Sequence, residues 1–539
     1  MSSIGAPAGQ KGFRRGQVLL VMAAGFGWLA VGLLDAWNFT VDDTIIPFRY
    51  AENLSAGLGL VFNPGDRVEG FSSPLWTLML AGFARLGWSR QGSDLALLMA
   101  AKLAGAVLAV ATIALLGGFV MWLGRRREWG SRSELIGLAV LCTVATYSFP
   151  LWSMSGLETP LCALLVTLGL MLHFIAVSRL DAGRDARGLL VAGGVVFGVL
   201  TWVRPEQPFV WGLAFAVFLA ISPKRVRLAL LASIVPTLVL YAALEAWRWS
   251  YYGQWVPNSV IAKWGGGFLT IVLGSKYTLA GLGASIGFVS LGLCGLPALL
   301  RGRRDWQFLA VYCGAMILFI ASAGGDWMPG YRLFVPVFPM LWVLAIAATL
   351  KLLEGGVGAG IPRAVIVGMV SVFALAAFAS GRSLARAEYP MATGLKGIRW
   401  HSSSERIALA HEIGRIVPAG SVLALFEAGY VPYLCPQLKI MDNSGLNDRQ
   451  IARLPGRHMY KLTADHFLSR KPDYYLAVMT RGTNPTADWL TLVNDPRFAA
   501  QYEIVSRSDR SANTFATTAV RGELANEERI GYLLYRRIR

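Results

Sequence analysis

From Val18 to Ser380 the sequence is a series of long apolar runs separated by short connections rich in arginine. A helix rises 1.5 Å per residue, so about 20 apolar residues cross the ~30 Å hydrocarbon core of a bilayer. Inside lipid the backbone must satisfy its own hydrogen bonds, which leaves helices and closed barrels. These runs are continuous rather than alternating, so they read as helices. Only 15% of the residues are charged, against about 25% in soluble domains. That deficit places the chain in the membrane class.

The basic clusters set a topology. They are Lys11/Arg14/Arg15, Arg125–Arg127 with Arg132, Arg179/Arg184/Arg187, Lys224/Arg225/Arg227, Arg301/Arg303/Arg304, and Lys351 with Arg363. Short cytoplasmic loops collect Lys and Arg, so neighbouring clusters are separated by an even number of crossings. The net charge of +18 then reflects topology and contact with anionic membrane lipids, not nucleic-acid binding. The parity makes Ser72–Trp88 and Phe268–Leu279, which carry Arg85 and Lys276, surface or re-entrant helices rather than spans. The spans are 18–37, 95–123, 134–151, 160–178, 188–203, 207–222, 227–247, 281–300, 307–323, 332–350 and 363–380. The first follows a basic N-terminus and lacks a small-residue cleavage site, so it reads as an uncleaved span.

The expected fold is an α-helical polytopic membrane protein of about eleven spans with a C-terminal extracytoplasmic α/β domain. The transmembrane domain covers 1–380, with a first outer loop at 38–94 carrying surface helices, and the α/β domain covers 381–539. In that tail, Glu405–Ile416 has helical spacing, and Ser421–Phe426, Leu438–Met441, Tyr474–Met479 and Ile530–Tyr535 read as strands. The N-terminus is cytoplasmic and the tail is on the other side of a bacterial inner membrane. Four of the five cysteines lie in apolar runs and no CxxC occurs, which supports neither a disulfide framework nor a zinc site.

With this topology the unusual polar residues fall on the outer connections. They are Asp42 and Asp43, Arg49, Glu69, Glu158, Arg204-Pro-Glu206, Asn258 through Lys263, Asp326-Trp327 with Arg332, and, in the tail, Asp442 and Asp448. Charges at span ends avoid most of the cost of burial in lipid, so an ordinary interface belt accounts for Trp and Tyr there. It does not account for Arg204, Lys263 and Arg332, which the positive-inside tendency would keep in the cytoplasm. Adjacent residues do not face the same way on a helix, so at most one of Asp42 and Asp43 acts as a base while the other positions it or binds a ligand. Glu158 and Glu206 serve either catalysis or pairing with Arg204 or Arg332. A guanidinium suits bidentate phosphate recognition, and Lys263 adds a point charge of the same sign. No P-loop, GxGxxG, HExxH or GxSxG motif is present, which argues against nucleotide-driven or hydrolase chemistry. A donor used outside the cytosol must arrive without a nucleotide, and a polyprenyl-phosphate sugar meets that need.

The run Asp42-Asp43, Phe48-Arg49-Tyr50, Gly59 to Gly65 and Glu69 to Trp76 resembles the first outer loop of the GT-C superfamily of integral-membrane glycosyltransferases. It looks like one branch in particular, which includes the terminal β-arabinofuranosyltransferases of actinobacterial cell walls. Gly156-Leu-Glu158, Arg204-Pro-Glu206, Pro257-Asn258 through Lys263, Gly325-Asp326-Trp327 and Asp442 through Asp448 fit the same branch. The resemblance implies an inverting glycosyltransferase with Asp42 or Asp43 as base and a polyprenyl-phosphate pentose, such as arabinofuranose, as donor. Arg204, Lys263 and Arg332 are expected at the donor phosphate. Arg49, Glu69, Glu158, Glu206, Asn258, Asp326, Trp327, Asp442 and Asp448 are expected to support the site or the acceptor. The acceptor is a cell-envelope glycan, lipid or protein. A divalent cation, Mg²⁺ or Mn²⁺, at Asp42, Asp43 and Asp326 stays open, since hard oxygen ligands suit such ions. The alternative is a lipid or polysaccharide transporter, which predicts charges within the spans rather than at their outer ends.

Overall fold

The computed structural model describes residues 15–538 apart from 127, 129, 266, 287–288, 327, 329, 355–361, 389–402, 480–491 and 509–530. These residues form two compact units that do not follow chain order. The first comprises 1–37, 104–242 and 269–385; the second comprises 38–103, 243–268 and 386–539.

The first unit is helical. Among the described residues of the whole chain, six helices are long and apolar enough to cross a membrane: Gly16–Asp35, Ala96–Arg125, Thr159–Asp181, Lys224–Tyr252, Arg304–Ser322 and Ala364–Ser383. Arg187–Thr201 and Gln207–Ile221 are equally apolar but shorter. Leu20, Leu34, Val107, Phe209 and Val372 are exposed along these helices, as side chains facing lipid are. The chain is a multi-pass membrane protein. Small residues let its helices approach closely. A methyl group at Gly193, Gly194 or Gly198 of Arg187–Thr201 would strike His173, the Ser233 carbonyl or Leu240.

Four expected segments differ. At 281–300 the chain forms the end of Gly267–Ile286 and then Val289–Leu300, and at 332–350 it forms the turn Arg332–Phe334 and then Phe338–Glu354. The run read as one span at 134–151 is broken into Gly130–Gly137, Leu138–Ala145 and Ser148–Ser153. Thr146 is extended there (ψ 95°) and ends the middle piece, and its hydroxyl is tied to the Cys142 carbonyl (2.8 Å) and to the Trp342 indole (3.0 Å). The segment 268–279, read as a separate surface helix, continues without interruption as Gly267–Ile286.

Ion pairs give this unit two distinct ends. Arg126 pairs with Glu128 (2.6 Å) and Asp305 (3.1 Å), Arg303 pairs with the same two (2.8 and 3.2 Å), and Arg304 pairs with Asp181 (2.6 Å). Arg132 donates to the Leu353 carbonyl (3.0 Å). Four basic connections far apart in sequence therefore gather together. Thr159–Asp181 starts next to Glu158 and finishes in that basic gathering, and Arg304–Ser322 starts in it and finishes before Asp326. Glu158 and Asp326 thus lie at the ends of their helices away from the arginine clusters.

The second unit is built round a five-stranded sheet in the order β2-β1-β3-β5-β4. The strands are β1 (Val422–Leu425), β2 (Lys439–Asp442), β3 (Tyr474–Met479), β4 (Tyr502–Ser508) and β5 (Gly531–Arg537). β1 runs parallel to β2 and β3, whereas β5 is antiparallel to β3 and β4. The expected helix appears as Ser403–Ile416. Strand β4 was not expected. It is an edge strand whose Ile504 is exposed, so the sequence carries little apolar alternation there. One core joins Tyr50, Phe62 and Phe71 of the first loop to Leu409, Ile413, Leu423, Leu425 and Ile440 of the tail. The first loop and the tail are therefore one folded body.

Candidate functional site

Asp42 and Asp43 open a 3₁₀ turn, Asp42–Ile45, that runs directly into the helix Ile46–Ser55. Pro47 sits in the first turn of that helix, where its missing N–H leaves nothing unsatisfied. The Asp42 carboxylate is buried and accepts from the backbone N–H groups of Gly429 (2.8 Å) and Tyr430 (3.2 Å). The Arg406 guanidinium lies 4.0 Å away. Burial pushes the Asp42 carboxyl above the usual range, and the Arg406 charge pulls it back. Asp42 lines a small cavity with Arg406, Glu427, Tyr430 and Tyr532, floored by Leu409, Leu425 and Leu476. Asp43, on the same turn, is only partly buried.

The supporting residues of the first loop are tied down by long-range contacts. Arg49 is 1% exposed. Its guanidinium donates to the carbonyls of Phe62 (2.7 Å), Leu438 (2.9 Å) and Pro432, and lies over the Phe62 ring (4.9 Å). Asn63 exchanges two hydrogen bonds with Ile440, N–H to Oδ1 (2.9 Å) and Nδ2 to carbonyl (2.8 Å). Its side chain thus imitates a neighbouring strand at β2. Glu69 makes a two-oxygen pair with Arg248 (2.7 and 3.3 Å). Burial pushes its carboxyl up to about 7, against the pull of Arg248.

The loop Asp442–Asp448 uses its polar groups for its own closure. Asp442 accepts from Ser444 N (2.9 Å), Asn447 N (2.8 Å) and Asn447 Nδ2 (2.9 Å). Asp448 caps the short helix Arg449–Ala452. Asn258 donates to the carbonyls of Gly445 and Leu446 (2.9 Å each), and Tyr50 Oη bonds Asn447 (2.9 Å). Lys263 ends the helix Asn258–Lys263 and is exposed. Its charge, after burial, holds the His458 imidazole down at about 3, with Lys461 and Arg457 adding to the effect.

In the first unit Arg204 donates to both Glu158 (Nη1, 2.7 Å) and Glu206 (Nε, 2.8 Å). Two carboxylates thus fix the guanidinium and outweigh its charge. Arg332 pairs with Asp326 (2.7 Å) and stacks over the Trp152 ring (5.3 Å). Both arginines are therefore anchored on one connection, between Trp152 and Glu158. Arg332 follows Gly330 and Tyr331, both with positive φ (69° and 53°). Such a conformation in a tyrosine is strained and is typical of functional loops. Trp327 lies outside the described residues.

Sequence reasoning missed Trp152, Arg406, Glu427 and Tyr532. Arg406 did leave a signal. It stands three, four and seven residues before Leu409, Ala410 and Ile413, on the apolar stripe of its helix. Among the described residues no three of His, Cys, Asp and Glu stand together as a metal-ligand set. The N–H groups and guanidinium round Asp42 suit an anion, not a cation, so the carboxylate of Asp42 does not fit an Mg²⁺ or Mn²⁺ site.

Residues 396–526 match a family described as Domain of unknown function (DUF8728). The chain is 28% identical over 359 residues to a terminal β-(1→2)-arabinofuranosyltransferase of Corynebacterium glutamicum, covering 59% of this chain and 50% of that protein. The chain thus spans half the length of that relative. Its fold matches ArnT from Cupriavidus metallidurans bound to undecaprenyl phosphate, with a TM-score of 0.52 at 15% identity, over 96% of this chain and 98% of that one. The chain shares the fold of this membrane protein. A second solved structure, the Archaeoglobus fulgidus oligosaccharyltransferase in its apo form, matches with a TM-score of 0.55 at 14% identity, over 86% of this chain and 70% of that one.

Proposed function

We propose that the chain is a glycosyltransferase that moves a pentofuranose, such as arabinofuranose, from a polyprenyl-phosphate donor to a hydroxyl of a cell-envelope glycan, lipid or protein. The reaction takes place on the extracytoplasmic side of a bacterial inner membrane, with the arginine-clustered helix ends in the cytoplasm. The reading is supported by the activity named for the sequence relative, by the undecaprenyl phosphate held by a structural neighbour, and above all by the acidic turn. Asp42 on that turn is buried and accepts from two peptide N–H groups, and Asp43 beside it is only half-buried, so we assign the base to Asp43.

In the proposed step Asp43 takes the proton of the acceptor hydroxyl as its oxygen attacks the anomeric carbon. The bond from that carbon to the phosphate oxygen breaks, and its electron pair leaves with the polyprenyl phosphate. One displacement inverts the anomeric centre. Cations stabilise the growing charge on the leaving group. Of the two arginines in the first unit, Arg332 has one carboxylate partner among the described residues, Asp326, and the Trp152 ring as a base, so it is the better suited to hold a phosphate. Arg204 is oriented by Glu158 and Glu206, and Lys263 adds a point charge. The transporter alternative draws no support from the relatives.

The test is transfer from polyprenyl-phosphate arabinofuranose to a synthetic arabinofuranoside by the purified chain in nanodiscs. Asp43→Asn is expected to lower kcat at least ~100-fold, the scale of a general base, with donor binding retained. Full activity in Asp43→Asn would remove the proposal.

A further inference from the structure

We infer that Arg406 and Gly429, both in the C-terminal tail, are positioning residues that hold the acidic turn in register for transfer. The inference rests on the reading of Asp43 as the base and adds to it the part of the molecule that sets its place.

The seat for Asp42 is made by three separate segments of the tail. Gly429 and Tyr430 supply the two N–H groups. A Cβ at Gly429 would fall far inside contact distance of the Asp42 carbonyl and carboxylate, so only glycine leaves room for the approach. The helix Ser403–Ile416 supplies Arg406, whose Nε faces Asp42 Oδ1 at 4.0 Å and whose Nη2 faces Glu427 at 3.6 Å. The Arg406 guanidinium also lies over the Tyr430 ring at 5.8 Å. Strand β5 supplies Tyr532, whose hydroxyl donates to Glu427 Oε2 (2.8 Å) and so fixes the carboxylate that flanks Arg406.

Asp42 and Gly429 are 387 residues apart, yet the peptide N–H groups, the absent side chain and the guanidinium all address one carboxylate. Asp43 is the next residue on the same turn. A displacement of Asp42 therefore displaces Asp43, and a misplacement of about 1 Å at a reacting group lowers a rate about 100-fold. Arg406 is 7% exposed and Asp42 equally so. Their effect on the reaction is exerted through Asp43.

The experiment compares wild type, Gly429→Ala, Arg406→Ala, Arg406→Lys and Asp43→Asn as full chains in nanodiscs. Transfer kinetics are read beside hydrogen–deuterium exchange of the peptides spanning 38–50. Gly429→Ala and Arg406→Ala are expected to lower kcat at least tenfold with donor KM within threefold of wild type, and to speed exchange in those peptides at least tenfold. Arg406→Lys keeps the charge and should recover part of both. If Arg406→Ala does not fold, Arg406→Gln is read in its place. Unchanged kcat and unchanged exchange in Gly429→Ala and Arg406→Ala overturn the inference while leaving the reading of Asp43 standing. An active Asp43→Asn, or an inactive wild type, overturns that reading instead, and the exchange data still decide whether the tail holds the turn.

Discussion

At the scale of single residues, the charged groups of the first loop divide into those that hold and those that act. Arg49 holds: the carbonyls of Phe62, Pro432 and Leu438 that it meets all lie in buried segments. Removing a buried charged donor leaves those acceptors unmet, which costs roughly 3–5 kcal/mol. Arg49→Ala should therefore fail to yield a folded second unit, and thermal unfolding in detergent would show the transition lost or lowered by more than 10 °C (about 2–4 °C per kcal/mol). His458 gives a pH signature. Its imidazole is held neutral down to about 3 by burial and by Lys263, Lys461 and Arg457. The unfolded chain binds its proton near 6.5, so the stability His458 contributes is fully present above that pH and is lost as pH falls. Between pH 7.5 and 5.5 the loss is about 1.4 kcal/mol. Thermal unfolding of His458→Gln should be less sensitive to that pH interval by the same amount.

At the scale of elements, the connection from Trp152 to Glu158 organises both arginines of the first unit. Its hydroxyls and carbonyls turn it tightly, with Ser155 Oγ donating to the Trp152 carbonyl (2.8 Å) and accepting from Leu157 N (3.1 Å). The Trp152 ring under Arg332 is worth about 1 kcal/mol as a cation–π contact. Trp152→Leu should raise donor KM about fivefold with little change in kcat, measured in the same transfer assay. A change confined to kcat would count against a phosphate role for Arg332. The strands of the tail show a different balance. β1, β2, β3 and β5 were legible because each is a short apolar run bounded by turn residues. β4 was not, because an edge strand needs only one paired side and keeps Arg and Glu along its length.

At the scale of the whole molecule, the first loop and the tail share a core although more than 300 residues separate Phe62 from Leu409 and Leu423. The first loop alone has too little apolar surface to remain folded. Truncation after residue 388 should leave the spans inserted but expose 38–94, and limited proteolysis should cut there in the truncated chain and not in the full one. A protected first loop in the truncated chain would contradict a shared core.

Six of the apolar spans, the arginine-marked helix ends and four of the five strands follow from the sequence by itself. Each is a local property: a run long enough for lipid, a charge next to it, or an apolar segment between turns. The tertiary structure alone decided that Asp42 accepts two N–H groups from the tail, that Arg49 and Asn258 donate to distant backbone carbonyls, and that Arg406 faces the acidic turn. Those assignments depend on which backbone N–H or carbonyl arrives from hundreds of residues away, and no local spacing encodes the arrival.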